Sequence, residues 1–321
     1  MKIKPIIIVS GEPNSIFSEI LFKSLKKIKI KKPIILFSSH KLLKLQMKKL
    51  NYKINIKILN YQKIKKYKLD NKSINLVNID YKTNKAFETI SKKSNKFITE
   101  SFDLAFKLIK KEKIQSFING PISKKSFLNK KYLGITEYIS DYFNKKKTCM
   151  LIYNKKLSVC PVTTHLPLKL VAREINIKNI TQKVVLVNDF YKIKFGFKPK
   201  IAILGINPHC ESVHKFNEDD KIIRPTIKHL KKNKFNVFGP YSADTIFLKN
   251  NRKNFDVIIG MYHDQVLAPF KALYEYDAIN ITLGLPFDRI SPDHGPNERM
   301  LGMNISNPLS LIKAIKFLDK S

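Results

Sequence analysis

The chain has 321 residues, 43% of them hydrophobic, with 61 Lys and Arg against 25 Asp and Glu and a formal net charge of +36. That length is more than one hydrophobic core usually fills, so two domains are expected. No apolar run approaches the roughly 20 residues that a membrane-spanning helix needs, so no membrane partner is expected.

The opening Met-Lys-Ile-Lys-Pro-Ile-Ile-Ile-Val-Ser reads as a first strand. Its apolar run is too short for a signal peptide, and no small-residue cleavage site comes after it. Three cysteines, Cys149, Cys160 and Cys210, lack CxxC spacing. An odd number without that spacing argues against a disulfide framework and for a reducing, cytoplasmic setting. The positive charge has two readings. One is binding to nucleic acid or an anionic membrane. The other is drift in composition: Lys, Ile and Asn are abundant, Trp is absent and Gly numbers only 10, as A+T-rich coding would give. The lysines recur in pairs and triplets along the whole chain, and no aromatic-interleaved basic motif is present, so no specific nucleic-acid partner is expected. A positive field also suits an anionic substrate.

Taken in order, residues 5–10 read as a strand, 11–15 as a turn and 17–29 as a helix with apolar residues at helical spacing. Residues 32–39 are a second strand and 40–50 a lysine-rich helix; 54–59 and 74–78 are short strands. Residues 95–111 form an amphipathic helix, and 116–119 a strand running into Gly120-Pro121. This alternation predicts a largely parallel sheet. Residues 150–153 and 157–162 read as a hairpin, and 181–195 as a helix closed by Gly196. Residues 200–209 are a buried strand, and Asn217 caps a helix whose first turn holds Glu218, Asp219 and Asp220. Residues 239–244 open a short helix, and Val257-Ile258-Ile259 is another buried strand. Residues 278–284 are a strand, 285–296 a polar loop rich in proline, and Asn307-Pro308 starts a last helix.

Three of these apolar strands run out into a histidine: His165, His209 and His263. In a parallel sheet all three would lie along the carboxyl edge, where open α/β sheets bind ligands. Three imidazoles with an open fourth position describe a catalytic divalent-metal site, with Asp244 and Asp264 as partners that fix the imidazole tautomers. The alternative is three separately packed structural histidines, and spacing alone leaves both open. Lys271, Asn280 and Arg289 come after the third strand. Lys and Arg suit a phosphate or carboxylate, and Asn can orient a hydroxyl. The GxGxxG fingerprint, the P-loop and GxSxG are all absent.

At these residues the chain resembles the 4-hydroxythreonine-4-phosphate dehydrogenase family of vitamin B6 biosynthesis. The matching segments include Asn119-Gly-Pro-Ile-Ser-Lys, Thr163-Thr-His-Leu-Pro-Leu, Gly205-Ile-Asn-Pro-His, Gly239-Pro-Tyr-Ser-Ala-Asp, Met261-Tyr-His-Asp-Gln, Pro269-Phe-Lys-Ala-Leu, Asn280-Ile-Thr-Leu-Gly-Leu-Pro-Phe and Ser291-Pro-Asp-His-Gly. They run in family order from about residue 116 to the end, and the first hundred residues match more thinly.

The resemblance implies an isocitrate/isopropylmalate dehydrogenase-like fold: two α/β/α domains, 1–125 plus 270–321 and 126–269, with a cleft between them. It implies a homodimer with shared active sites and a divalent metal (Zn, Mg or Co) on His165, His209 and His263, one of the three coming from the partner subunit. It further implies substrate contacts from Thr136, Lys271, Asn280 and Arg289, and proton transfer and orientation by Lys271, Asp264 and Asp244. NAD or NADP would be held partly by the loop around His294 and Gly295. The implied reaction is oxidation and decarboxylation of a small phosphorylated amino acid, 4-phosphooxy-threonine. The sequence departs from the family at Ile135, where a histidine usually precedes Thr136, in the loop Gly11-Glu-Pro-Asn-Ser, which lacks further glycines, and in the stretch after His209. These departures favour a second reading, a relative that binds metal or phosphate ligands without turnover.

Overall fold

The structure, a computed structural model, describes residues 4–320 apart from 124, 125, 129–131, 133, 213, 215 and 293. Its strands, in chain order, are β1 (Ile6–Val9), β2 (Ile34–Ser38), β3 (Ile56–Ile58), β4 (Ile74–Asn78), β5 (Ser116–Asn119), β6 (Cys149–Tyr153), β7 (Ser158–Pro161), β8 (Ile201–Leu204), β9 (Val237–Tyr241), β10 (Val257–Gly260), β11 (Ile279–Leu283) and β12 (Asp288–Pro292). The chain divides into two compact units, residues 1–139 with 286–321, and residues 140–285. Residues 126–139 thus lie with the first unit and 270–285 with the second.

In the first unit the strand order is β3-β4-β2-β1-β5-β12, every pairing parallel. Each residue of β1 and β2 is buried, as expected of β-branched strands covered on both faces. Helices Phe17–Lys27, His40–Lys49, Asn95–Glu112 and Leu309–Lys320 complete its α/β/α layers. Helix Leu309–Lys320 begins where the sequence places it, with the Leu309 amide donating to Asn307 Oδ1 at 2.9 Å. The order reverses direction between β1 and β5, the kind of position where open α/β sheets bind ligands. There Gly11 is indispensable. It takes φ +74°, and a Cβ would lie 2.4 Å from the Pro121 carbonyl oxygen. None of the described residues 12–16, where further glycines are missing, has positive φ.

In the second unit the order is β11-β6-β7-β10-β8-β9. The run β7-β10-β8-β9 is parallel, while β6 pairs antiparallel with both β7 and β11. The hairpin of β6 and β7 is therefore as expected. Its core gathers Val159, Ala202, Leu204, Ile258, Val266 and Phe270. Helix Ile177–Phe195 ends at Gly196 in the left-handed region.

Two sequence readings need correction. The polar loop 285–296 contains β12, whose Arg289 and Ile290 are fully buried; a buried arginine hid the strand. Residues 237–241 form β9, an edge strand, which is where a sheet tolerates Gly239-Pro240; the expected short helix follows only from Ala243 to Ile246. Residues 263–274, which the sequence reading leaves unassigned, form helix His263–Tyr274 with Pro269 in its interior. Among the described residues no helix is long and apolar enough to cross a membrane.

Candidate metal and anion sites

In the second unit β7, β10 and β8 are parallel neighbours, so their carboxyl ends open on one edge. His165 comes four residues past β7, His263 three past β10 and His209 five past β8. The rings of His165 and His263 lie 5.8 Å apart, centroid to centroid, at 37°. Metal–nitrogen bonds of about 2.0–2.1 Å let two imidazoles share one ion at such a separation. The Nδ1 of His263 is 2.6 Å from Asp264 Oδ1. An Nδ1–H donated to that carboxylate leaves the Nε2 lone pair for a ligand. The pair therefore fits a divalent ion. His209 stands outside it: among the described residues no three or more His, Cys, Asp and Glu of one chain gather round an ion position.

The turn carrying His209 is held against its own backbone preference. His209 and Cys210 take φ of +54° and +59°, a region costing about 1–3 kcal/mol for residues other than glycine. Asp219, fully buried, stabilises the turn from below. Its Oδ1 accepts from the Ile206 amide at 3.0 Å, and its Oδ2 from the Asn207 amide at 3.1 Å and Asn207 Nδ2 at 2.8 Å. A Cβ on Gly205 would meet Asp219 Oδ1 at 2.5 Å, so glycine there admits the carboxylate. Asp244 is an exposed neighbour of this turn. Its carboxyl lies below the usual range, first because Ser242 donates to it at 2.6 Å and then because of the His209 charge.

Lys271 is exposed on the last turn of helix His263–Tyr274. Eight residues at about 1.5 Å rise put its Cα roughly 12 Å along the axis from that of His263. Asn280 lies on β11, and its buried Oδ1 has no hydrogen-bond partner among the described residues.

In the first unit the dominant polar group is Arg289. It is fully buried on β12, and burial pushes its guanidinium down to about 10, against a smaller upward effect of Glu137. It stays charged at neutral pH. Nε donates to Asn119 Oδ1 at 2.8 Å and Nη1 to Thr136 Oγ1 at 3.1 Å. Arg289 and Thr136 are thus brought together. Asn119, at the end of β5, is an orienting residue; it sits in a family motif, but the sequence alone assigns it no role. Ile135 begins helix Ile135–Tyr142 beside Thr136. Glu12, in the loop after β1, is also buried. Its Oε1 accepts from the Ser94 hydroxyl at 2.8 Å and the Asn14 amide at 3.2 Å, while Oε2 has no partner among the described residues. Burial raises its carboxyl above the usual range, partly offset by Ser94 and Asn14, with Glu298 adding to the rise. His294 and Gly295 come after β12 in irregular backbone, and Asp293 lies outside the described residues.

Comparison with known proteins gives a consistent result. The family described as pyridoxal phosphate biosynthetic protein PdxA matches residues 29–318. The chain is 39% identical over 315 residues to a 4-hydroxythreonine-4-phosphate dehydrogenase of Sulfurihydrogenibium sp. (strain YO3AOP1), covering 96% of this chain and 95% of that protein. It is 33% identical over 322 residues to the Aquifex aeolicus protein of the same name, covering 98% of each. Among solved structures, a putative 4-hydroxythreonine-4-phosphate dehydrogenase from Salmonella typhimurium superposes with a TM-score of 0.85 at 26% identity, covering 99% of each chain.

Proposed function

Because the chain belongs to the family of the pyridoxal phosphate biosynthetic protein PdxA, we propose that it is a 4-hydroxythreonine-4-phosphate dehydrogenase. On this reading it oxidises 4-phosphooxy-threonine with NAD or NADP, and loss of CO2 yields 3-amino-2-oxopropyl phosphate for pyridoxine 5'-phosphate synthesis. The observation that carries the reading is the 39% identity, spread over 96% of the chain, to a relative bearing that name. The paired imidazoles of His165 and His263 support its metal-dependent form.

His165, His209 and His263 would hold a divalent ion. One of the three would reach it from a second copy of the chain, in keeping with the two imidazoles that a single copy brings together. When bound, the ion supplies a Lewis acid and the dinucleotide a hydride acceptor. The protein's own groups do the rest. Asp264 fixes the His263 ring through Nδ1, and Asp244 lies in the field of His209. Asp264 or Lys271 accepts the proton of the substrate's C3 hydroxyl, directly or through water. Arg289 and Thr136 bind the anionic phosphate or carboxylate. Asn280 directs its unpartnered carboxamide oxygen at a hydroxyl. The loop at His294 and Gly295 contacts the dinucleotide. A cytoplasmic location fits three buried cysteines that form no disulfide.

The test is reduced dinucleotide formation by the purified protein with 4-phosphooxy-threonine, NAD or NADP and a divalent metal. Turnover is the expected result. Binding of substrate without turnover would replace this reading with the second one, a relative that holds ligands but has lost catalysis, which Ile135 favours.

A further inference from the structure

Three loops of the first unit are knit together beyond the carboxyl end of β1. The loop after β12, which carries His294 and Gly295, is joined to the loop after β1 by the Ile16 amide, which donates to the Pro296 carbonyl at 3.1 Å. Residues 86–90 are held to that same loop after β1. Asn14 Oδ1 accepts from the Glu88 amide at 2.9 Å, and Gln46 Nε2 donates to the carbonyls of Pro13 at 3.0 Å and Ala86 at 3.1 Å. Asn14 and Gln46 are each 2% exposed, so these ties are shielded from water. The third side closes where the Ile90 amide donates to Glu298 Oε2 at 3.4 Å. There too a Cβ on Gly302 would touch the Phe87 ring at 3.4 Å.

Between residues 85–89 and the turn 298–301 lies a cavity of about 610 Å³, lined by Lys85, Phe87, Glu88, Thr89, Glu298 and Leu301. Cofactor pockets span roughly 300–1,000 Å³, and an aromatic wall suits a stacked base. Both carboxylates of the lining already accept from other donors. Glu88 accepts from Thr83 Oγ1 and from Lys93 Nζ, each at 2.8 Å, and Glu298 accepts from the Ile90 amide. Arg299 stands in the turn Glu298–Met300 and is exposed. No hydrogen bond or ion pair among the described residues engages its side chain. Composition sets it apart as well. The chain has 5 arginines against 56 lysines, so drift toward lysine does not account for an arginine at this turn. Three of the other four have partners: Arg224 pairs with Asp220, Arg252 donates to the Phe247 carbonyl and Arg289 donates to Asn119 and Thr136.

We propose that this cavity takes the adenosine end of the dinucleotide and that Arg299 binds the 2'-phosphate, so that the chain selects NADP over NAD. The proposal rests on the reading of the His294 and Gly295 loop as a dinucleotide contact. The two dinucleotides differ only at the 2' position, a hydroxyl in NAD and a phosphate in NADP. A guanidinium presents paired donors that match phosphate oxygens. A site for the free ribose hydroxyls is instead built around an accepting carboxylate, and the two carboxylates here are engaged elsewhere. Lys85, in the cavity wall, adds a second positive charge.

The experiment measures binding of NADP+ and NAD+ to the full-length protein by titration calorimetry, without substrate and at about 0.15 M salt. The fragments 2',5'-ADP and 3',5'-ADP are titrated as well; their equal charge controls for attraction to a strongly positive chain. NADP+ is expected to bind about tenfold or more tightly than NAD+, the worth of a hydrogen bond to a charged group, and 2',5'-ADP more tightly than 3',5'-ADP. Arg299→Met should bring NADP+ to the affinity of NAD+ and leave NAD+ binding as it was; Arg299→Asp should reverse the preference. Thr89→Trp, at an exposed wall position, fills the cavity and should weaken both dinucleotides. Equal affinity for the two dinucleotides in the wild type, or a preference that survives Arg299→Met, overturns the role of Arg299. Wild-type binding of both by Thr89→Trp overturns the assignment of the cavity. A wild-type protein that binds neither dinucleotide overturns the underlying dinucleotide reading itself.

Discussion

The two units hold their candidate polar groups in different ways. In the second unit the candidate ligands are partly exposed side chains on turns, and buried neutral or anionic groups beneath them fix the backbone. In the first unit the candidate anion-binding charge is itself buried: Arg289 sits inside a strand, its guanidinium held by Asn119 and Thr136. The contrast has a chemical origin. Imidazoles must present a lone pair to an incoming ion, so precision has to come from the scaffold. A guanidinium keeps its charge at any physiological pH, so it can be placed in the core and oriented directly. Mutations should therefore separate function from stability in the second unit and confound them in the first.

Substitutions in each unit put that contrast at risk. The largest expected effect is on turnover. His263→Ala should lower metal-dependent turnover by at least about a hundredfold, since a Lewis acid contributes several kcal/mol, while the unfolding free energy in urea changes little. Next, Arg289→Met strands Asn119 Oδ1 and the Glu137 carboxylate, and should cost about 3–5 kcal/mol of stability as well as substrate binding. Similar losses of stability in both variants would erase the distinction between the units. Asp219→Ala should cost about 1.5–3 kcal/mol, the range for hydrogen bonds to a charged group. It should also weaken metal binding, since the strained His209 turn loses its clamp.

Ile135→His should strengthen anion binding in the first unit. A recovered contact is worth on the order of 1–3 kcal/mol, so the substrate KM should fall about tenfold, read in steady-state kinetics. The smallest effect is at Glu12. Its carboxyl is raised in the folded protein by burial, so folding favours the protonated form. That contribution is complete below the unfolded value of about 4.5 and is lost as pH climbs through the raised folded value. Glu12→Gln should therefore gain stability relative to the parent as pH rises from 4 to 8, measured by urea unfolding across that range. A constant difference would place the Glu12 charge in solvent.

Much of this was legible in the sequence because apolar strands buried on both faces announce themselves. β1, β8 and β10 are such runs, and the three histidines were visible just beyond the ends of β7, β8 and β10. The parts that stayed hidden break local rules for tertiary reasons. β12 carries a buried arginine, whose charge reads as loop until Asn119 and Thr136 are seen to satisfy it. β9 contains Gly239-Pro240, acceptable only at an edge. Helix His263–Tyr274 contains Pro269. The braces at Gln265, whose Nε2 donates to the Gly205 carbonyl, and at Asp219 were invisible for another reason. Each contacts peptide groups of a turn that the chain reaches elsewhere, and a side chain to backbone contact leaves no complementary residue type to read. The glycine departures proved uneven: the loop after β1 keeps the one glycine whose φ requires it, whereas the turn at His209 and Cys210 is strained.

If imidazoles at the carboxyl edge of the second unit hold a divalent ion, the oxidation of 4-phosphooxy-threonine must depend on that ion. The decisive measurement is reduced-dinucleotide formation by the purified protein, before and after dialysis against a chelator and again after adding back Zn2+, Co2+ or Mg2+. Loss of activity on chelation and recovery with at least one of the three ions is the expected result. Full activity in the presence of the chelator would rule the ion out of the reaction.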